Sequence, residues 1–186
     1  MRTGGQMVVE ALVENGIDRV FCVPGESYLA VLDALYDVSN RIHVTVCRQE
    51  GGKPGVVLVT RGPGATNASI GVHTGFQDST PMIVLIGQVA RDQVDGEAFQ
   101  EIDYRRMYGE MAKWVAQIDD TSRVPEYMSR AFQTATAGRP GPVVLALPED
   151  MLSGSAEAPE TRAVHLSRPG VSQADVAAFR ERLATA

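Results

Sequence analysis

Apolar and polar positions follow two rhythms along this chain, and they alternate. After Thr3, a residue type that caps helices, Met7, Val8, Ala11 and Leu12 share one helical face, and Gly16 is placed to end the helix. The short run VFCVP follows as a strand. Tyr28, Leu29, Leu32, Leu35 and Tyr36 then recur at helical spacing behind Ser27, which is read as the cap. IHVTVC reads as a second strand. GVVLVT and PMIVLIG are almost continuously apolar, as strands covered on both faces are, and SIGVHTGFQD between them fits a helix. VPEYMSRAFQTAT is a further helix stopped by AGRPG, and PVVLALP is the last strand.

Strands alternating with helices predict an α/β domain built on a mostly parallel sheet with helices on both faces. Ligands in such sheets bind at the carboxyl ends of strands, where VPGE, RQEGG and TRGPGATN fall. One link breaks the rhythm: only GGKP separates IHVTVCRQE from GVVLVT, whereas parallel neighbours need a crossover of about a dozen residues or more. Either the two strands form an antiparallel hairpin, or a helix has been lost between Gly52 and Lys53. Neither strand shows the polar alternation of a half-exposed hairpin, so the second reading is favoured and a chain discontinuity is expected at that bond.

After Pro148 the sequence turns small, polar and proline-rich. The expected organisation is a domain over 1–150, a linker over 151–170, and the start of a truncated second domain over 171–186, where a helix begins at Ser172.

At 186 residues and 44% hydrophobic content the chain is long enough for one substantial core. Its longest apolar runs fall far short of a membrane span and no basic leader precedes an apolar segment, so a cytoplasmic location without membrane attachment is expected. Net charge is -6 and the basic residues are scattered, which argues against nucleic acid as a partner. Cys22 and Cys47 each close an apolar run and read as buried free thiols. TRGPGATN has neither GK[ST] nor GxGxxG, so phosphate loops and a nucleotide-binding Rossmann domain are poorly supported.

Three segments together resemble the acetolactate-synthase-like branch of thiamine diphosphate enzymes: VFCVPGE at 20–26, CRQEGG at 47–52, and VTRGPGATNASIGVHTGFQDSTPMIVLIGQV at 59–89. The resemblance continues through AFQEID and RPGPVVLALPEDM. It implies the N-terminal, pyrimidine-binding domain of a carboligase or decarboxylase acting on 2-oxo acids, assembled as a homodimer or homotetramer. The cofactor would lie between two subunits. Its diphosphate and magnesium would be held by a different domain, whose GDG motif is not found in this sequence, and the question of FAD stays open.

By that resemblance Glu50 is the catalytic carboxylate. It would donate a proton to the aminopyrimidine N1′, favouring the imino tautomer whose neighbouring nitrogen takes the thiazolium C2 proton. Desolvation raises a buried carboxyl's pKa and suits it to sharing that proton. From position alone a solvent-facing strand-end glutamate would serve equally. Family members often carry histidine before this glutamate; Gln49 stands here and cannot relay protons in the same way.

The resemblance also places Pro24, Gly25, Thr60, Pro63 and Asn67 around the pyrimidine, with Gln100 and Phe99 closing over the site from the neighbouring side and Glu26 beside the substrate. Turn formation would account for Pro24 and Gly25 just as well, helix capping for Thr66 or Asn67, and a mobile surface loop for AFQE. His73 reads as a packed or capping histidine. No cluster has metal-ligand spacing, so no metal ligand is expected in this chain. On this reading the chain alone is inactive. The alternatives are a non-catalytic assembly module of the same fold and a separate small subunit of a split decarboxylase.

Overall fold

The computed structural model describes residues 1–22, 26–45, 54–164, 170 and 172–185. In chain order these form β1 (Arg2–Thr3), α1 (Gly4–Glu14), β2 (Arg19–Cys22), α2 (Leu29–Asp37), β3 (His43–Thr45), β4 (Gly55–Val59), α3 (Pro63–Gln77), β5 (Met82–Gln88), α4 (Tyr104–Tyr108), β6 (Trp114–Gln117), α5 (Val124–Thr136), β7 (Pro142–Pro148), α6 (Glu149–Ser153), β8 (Ser155–Ala156) and α7 (Gln173–Ala184). Six strands make one parallel sheet in the order β3-β2-β4-β5-β7-β6, and β1 pairs with β8 antiparallel. The predicted α/β architecture is therefore the one observed.

Helices cover the sheet from both sides. On one face α1, α2, α5 and α6 pack Met7, Leu12, Leu35, Met128 and Met151 onto Val20, Leu58, Ile83 and Leu145. On the other, α3 and α4 pack Ala65, Val72, Tyr104 and Tyr108 onto Val59, Val84, Ile86 and Val144. β5 and β7 lie at the centre of this sandwich with every residue buried, which is why their sequences show no polar alternation. Trp114 stacks on Tyr127 with ring centroids 5.7 Å apart, and Arg130 lies 4.2 Å above the Trp114 ring, which shields the β6 edge.

Local chemistry explains most boundaries. Thr3 and Gln6 form a reciprocal capping box at the start of α1, and Gly16 follows its C-cap with φ 69°. Ser172 caps α7, whose residues are all exposed.

Four expectations are corrected. Ser27 does not cap α2: the N-cap is Tyr28, without a side-chain bond. Within α2 the core face is Val31, Ala34 and Leu35, while Leu29 and Tyr36 are 61% and 80% exposed. α3 starts at Pro63, six residues before Ser69, so its N-cap is Gly62, and Thr66 and Asn67 lie inside the first turns rather than capping them. His73 is exposed on that helix, neither packed in the core nor at a cap. α4 and β6 had no expectation, being too short for a clear period.

The hairpin alternative is excluded, since β3 and β4 both run parallel to β2 and flank it on opposite sides. The expected discontinuity at Gly52 and Lys53 lies outside the described residues. The stretch after Pro148 is tied down at first. Met151 and Leu152 are buried, and the Arg2 guanidinium donates to the carbonyls of Ala158 (2.6 Å) and Pro159 (3.1 Å). Cys22 is a buried free thiol; Cys47 lies outside the described residues.

Candidate functional site

The segments that leave the carboxyl ends of β4 and β5 are held together by polar contacts that are buried or partly buried. β4 ends at Thr60, whose hydroxyl is 2.8 Å from that of Ser27. Ser27 sits fully buried in a 3-10 turn over Glu26–Tyr28. This turn can approach β5 only because residue 87 is glycine: a Cβ there would lie 2.4 Å from Ser27 Oγ. The loop after β2 is thereby keyed to the loop after β4.

Beyond Thr60 the chain turns through Gly62, at φ 42°, into α3. A Cβ on Gly62 would meet Gln100 at 2.9 Å, so the loop after β5 rests directly on this turn. Gln100 itself takes the left-handed conformation at φ 67°. Two tyrosines of α4 lock the arrangement from beneath. The Gly62 N–H donates to Tyr104 Oη (3.0 Å), and Tyr108 donates to the Ala65 carbonyl. Gln88 closes the base of the loop by donating to the Ile102 carbonyl (2.9 Å) and accepting from the Val89 N–H (3.0 Å).

These groups are electrically quiet. Burial pushes the Tyr108 phenol up, with the neighbouring Tyr104 adding to it. The Tyr104 phenol is also raised by burial, against the lowering effects of the Gly62 N–H and the Arg61 charge. Burial likewise raises Tyr28, whose hydroxyl is 3.4 Å from the Cys22 sulfur. All three phenols therefore stay protonated and serve as hydrogen-bonding and packing groups rather than as bases. Asp150, where the other end of the loop after β5 is anchored, behaves differently. Burial pushes its carboxyl up, but hydrogen bonds from the Arg91 backbone and guanidinium (3.0 and 2.7 Å) bring it below the usual range.

Of the residues expected at the site, the structure brings Thr60 and Gln100 to the two sides of the Gly62 turn. Pro63 and Asn67 lie one turn apart on the exposed side of α3. Phe99 is 76% exposed beside Gln100. Glu26 opens the 3-10 turn that carries Ser27. Pro24, Gly25 and Glu50 lie outside the described residues. Sequence reasoning missed Ser27, Gly87, Tyr104 and Tyr108. Only the break in the otherwise aliphatic run of β5 at Gly87 hinted at a close approach.

Among the described residues no group of three or more His, Cys, Asp or Glu is placed to hold a metal ion, and no helix is long and apolar enough to cross a membrane. Among the described residues, small side chains and the hydroxyl and amide groups of Ser27, Thr60, Gln88 and Gln100 line one sheet edge as a wall.

Comparison with known proteins identifies the family. The acetolactate synthase isozyme 3 large subunit of Escherichia coli is 39% identical over 171 residues, covering 86% of this chain and 30% of that protein. The acetolactate synthase large subunit of Buchnera aphidicola subsp. Acyrthosiphon pisum is 40% identical over 162 residues, covering 81% of this chain and 28% of its own length. The mitochondrial acetolactate synthase catalytic subunit of Saccharomyces cerevisiae is 37% identical over 161 residues, covering 80% and 23%. The chain thus spans less than a third of each of these relatives. The family described as "Thiamine pyrophosphate enzyme, N-terminal TPP binding domain" matches residues 2–107, more than half of the chain, and the chain belongs to that family.

Proposed function

We propose that this chain supplies the aminopyrimidine-binding wall of a thiamine diphosphate-dependent carboligase or decarboxylase acting on 2-oxo acids. The observation that carries the reading is the keyed edge itself: Ser27, Thr60, Gly62 and Gln100 are fixed to one another by close contacts at the carboxyl ends of parallel strands. In this reading the Gly62 turn and Pro63 present the flat backing for the ring, Thr60 and Gln100 offer polar edges to it, and Asn67 faces it from α3. Pro24 and Gly25 complete the wall. Phe99 and Glu26 stand toward the substrate.

Glu50 is the residue we assign to protonation of the pyrimidine at N1′. Thiamine diphosphate supplies, when bound, the carbanion chemistry that a protein side chain cannot provide. Magnesium and the diphosphate belong to another domain, and whether FAD is used is decided there too. Assembly as a homodimer or homotetramer brings that domain to this edge from a second subunit.

The test is calorimetric titration of the chain with thiamine, which carries both rings but no diphosphate, alongside a pyruvate-consumption assay with thiamine diphosphate and magnesium. Saturable thiamine binding weakened at least tenfold by Thr60→Val, with no turnover by the chain alone, supports the proposal. Robust turnover without a second domain refutes it. In a protein that also carries the downstream domains, Glu50→Gln is expected to lower activity by two orders of magnitude or more. Full activity in that variant would favour a non-catalytic assembly module.

A further inference from the structure

The loop that joins β5 to α4 carries backbone strain that its own packing does not explain. Three of the four non-glycine residues with positive φ among the described residues lie in it: Asp95 at 63°, Glu97 at 55° and Gln100 at 67°. Aspartate tolerates this region through its short polar side chain, whereas glutamate and glutamine have no such compensation. Strained residues of this kind persist only where the surroundings over-determine the backbone. The core does not do so here, since positions 91–97 are all exposed.

Fixed points at the two ends of the loop do. At the Arg91 end, the backbone N–H donates to Asp150 Oδ1 (3.0 Å), Nε donates to Asp150 Oδ2 (2.7 Å), and a terminal nitrogen donates to the Asp119 carbonyl. At the other end Gln100 rests on Gly62, with its Cβ and carbonyl oxygen each 2.9 Å from where a Cβ on that glycine would stand. Between them the Asp95 N–H donates to Glu101 Oε1 (2.9 Å), and the Glu101 N–H to the Ala98 carbonyl (3.0 Å).

The two ends sit on opposite sides of the strand the loop leaves. Asp150 follows β7 and Asp119 follows β6, Gly62 follows β4, and β5 runs between β4 and β7. The loop is thus a strap over the carboxyl end of β5. A planar guanidinium suits the first fastening because its fork engages a carboxylate and a carbonyl at once.

We propose that Arg91 is a positioning residue: its bonds to Asp150 and Asp119 hold the strap taut, keep Glu97 and Gln100 in their strained conformation, and seat Gln100 on the Gly62 turn. Arg91 acts through the loop rather than on a ligand. What the seating does for a bound ring rests on the pyrimidine-binding reading; the fastening itself does not.

The experiment uses the full chain. Glu97→Gly and Glu97→Ala remove the same carboxylate, but only glycine relieves the left-handed strain, so Glu97→Gly is expected to melt about 2–4 °C above Glu97→Ala. In an Arg91→Gln background that gap should fall to less than about half, because an unfastened strap no longer imposes the conformation; independent positions would simply add. Arg91→Gln itself should lower Tm by less than about 4 °C, since the Arg91 and Asp150 side chains are 46% and 36% exposed. Calorimetric titration with thiamine should nevertheless show binding about fivefold weaker or more, as when the seated loop falls to about a fifth of the population. Arg123→Gln removes a similarly exposed ion pair, with Glu126, and should bind as the parent does. An undiminished gap in the Arg91→Gln background overturns the proposal, as does thiamine binding by Arg91→Gln at the parent's affinity. A parent that binds no thiamine refutes the pyrimidine reading instead, and the coupling between positions 91 and 97 then decides the strap alone.

Discussion

Replacing Gly87 by alanine puts a methyl group where the fold leaves no room. Its Cβ would lie 2.4 Å from Ser27 Oγ and 2.9 Å from both Ser27 Cβ and the Ser27 carbonyl oxygen, inside a fully buried contact between β5 and the 3-10 turn. Neither partner can yield cheaply, because β5 is pinned by β4 and β7 on either side and part of the obstacle is backbone. Overpacking of this kind costs about 1–3 kcal/mol. Pushing Ser27 away also breaks its 2.8 Å bond to Thr60, a partly buried contact, at about 0.5–1.5 kcal/mol. A total of roughly 3 kcal/mol corresponds, in a chain of this size, to a fall in Tm of about 6–12 °C.

Thermal and urea unfolding followed by circular dichroism measure the loss, and a double variant assigns it. Ser27→Gly removes two of the three obstructing atoms, so Gly87→Ala with Ser27→Gly should be more stable than the sum of the single effects by about 1 kcal/mol or more. Strict additivity, or a Gly87→Ala change below about 0.5 kcal/mol, would refute the claim that this contact keys the two loops together. If the thiamine reading also holds, Gly87→Ala weakens thiamine binding more than its stability loss alone predicts, because Thr60 is released from its anchor.

Tyr104→Phe leaves the Gly62 N–H buried without its acceptor and should cost about 1–3 kcal/mol in urea unfolding, with slower hydrogen exchange at Gly62 in the parent than in the variant. In α2, Leu35→Ala should cost about 2–5 kcal/mol while Leu29→Ala changes stability by less than about 0.5 kcal/mol, which checks the assignment of the buried face by chemical denaturation. Asp150 is held below its ordinary value of 3.8, so its ion pair with Arg91 contributes stability that is present above that pH and lost as the pH falls through the lower folded-state value. The gap in urea midpoint between the parent and Asp150→Asn should accordingly be full at pH 7 and shrink as the pH is lowered past 3.8. Because both side chains are over a third exposed, the gap should stay under about 1 kcal/mol.

Much of this molecule could be read from the order of its residues, because that information is local or periodic. Continuous apolar runs gave β5 and β7 as central strands, Thr3 and Ser172 announced helix starts, and alternation of the two periods gave a parallel α/β sheet. The motif segments also pointed to the carboxyl edge of that sheet. Thr60 and Gln100 were named from sequence and meet across the Gly62 turn. What the sequence could not decide is which side chains fix that edge, since those contacts join positions far apart in the chain. Ser27 looked like a helix cap and is instead a buried partner of Thr60. Tyr104 and Tyr108 sit in a five-residue helix too short to show a period, yet they hold the backbone of the wall from below. The starting point of α3 was misplaced because a glycine and proline pair reads as a turn, while proline's fixed φ equally suits a helix's first residue, and only packing against β4 and β5 chooses between them. The short GGKP link was visible as an anomaly, but that β3 and β4 both run parallel to β2, on opposite sides of it, followed only from the tertiary structure.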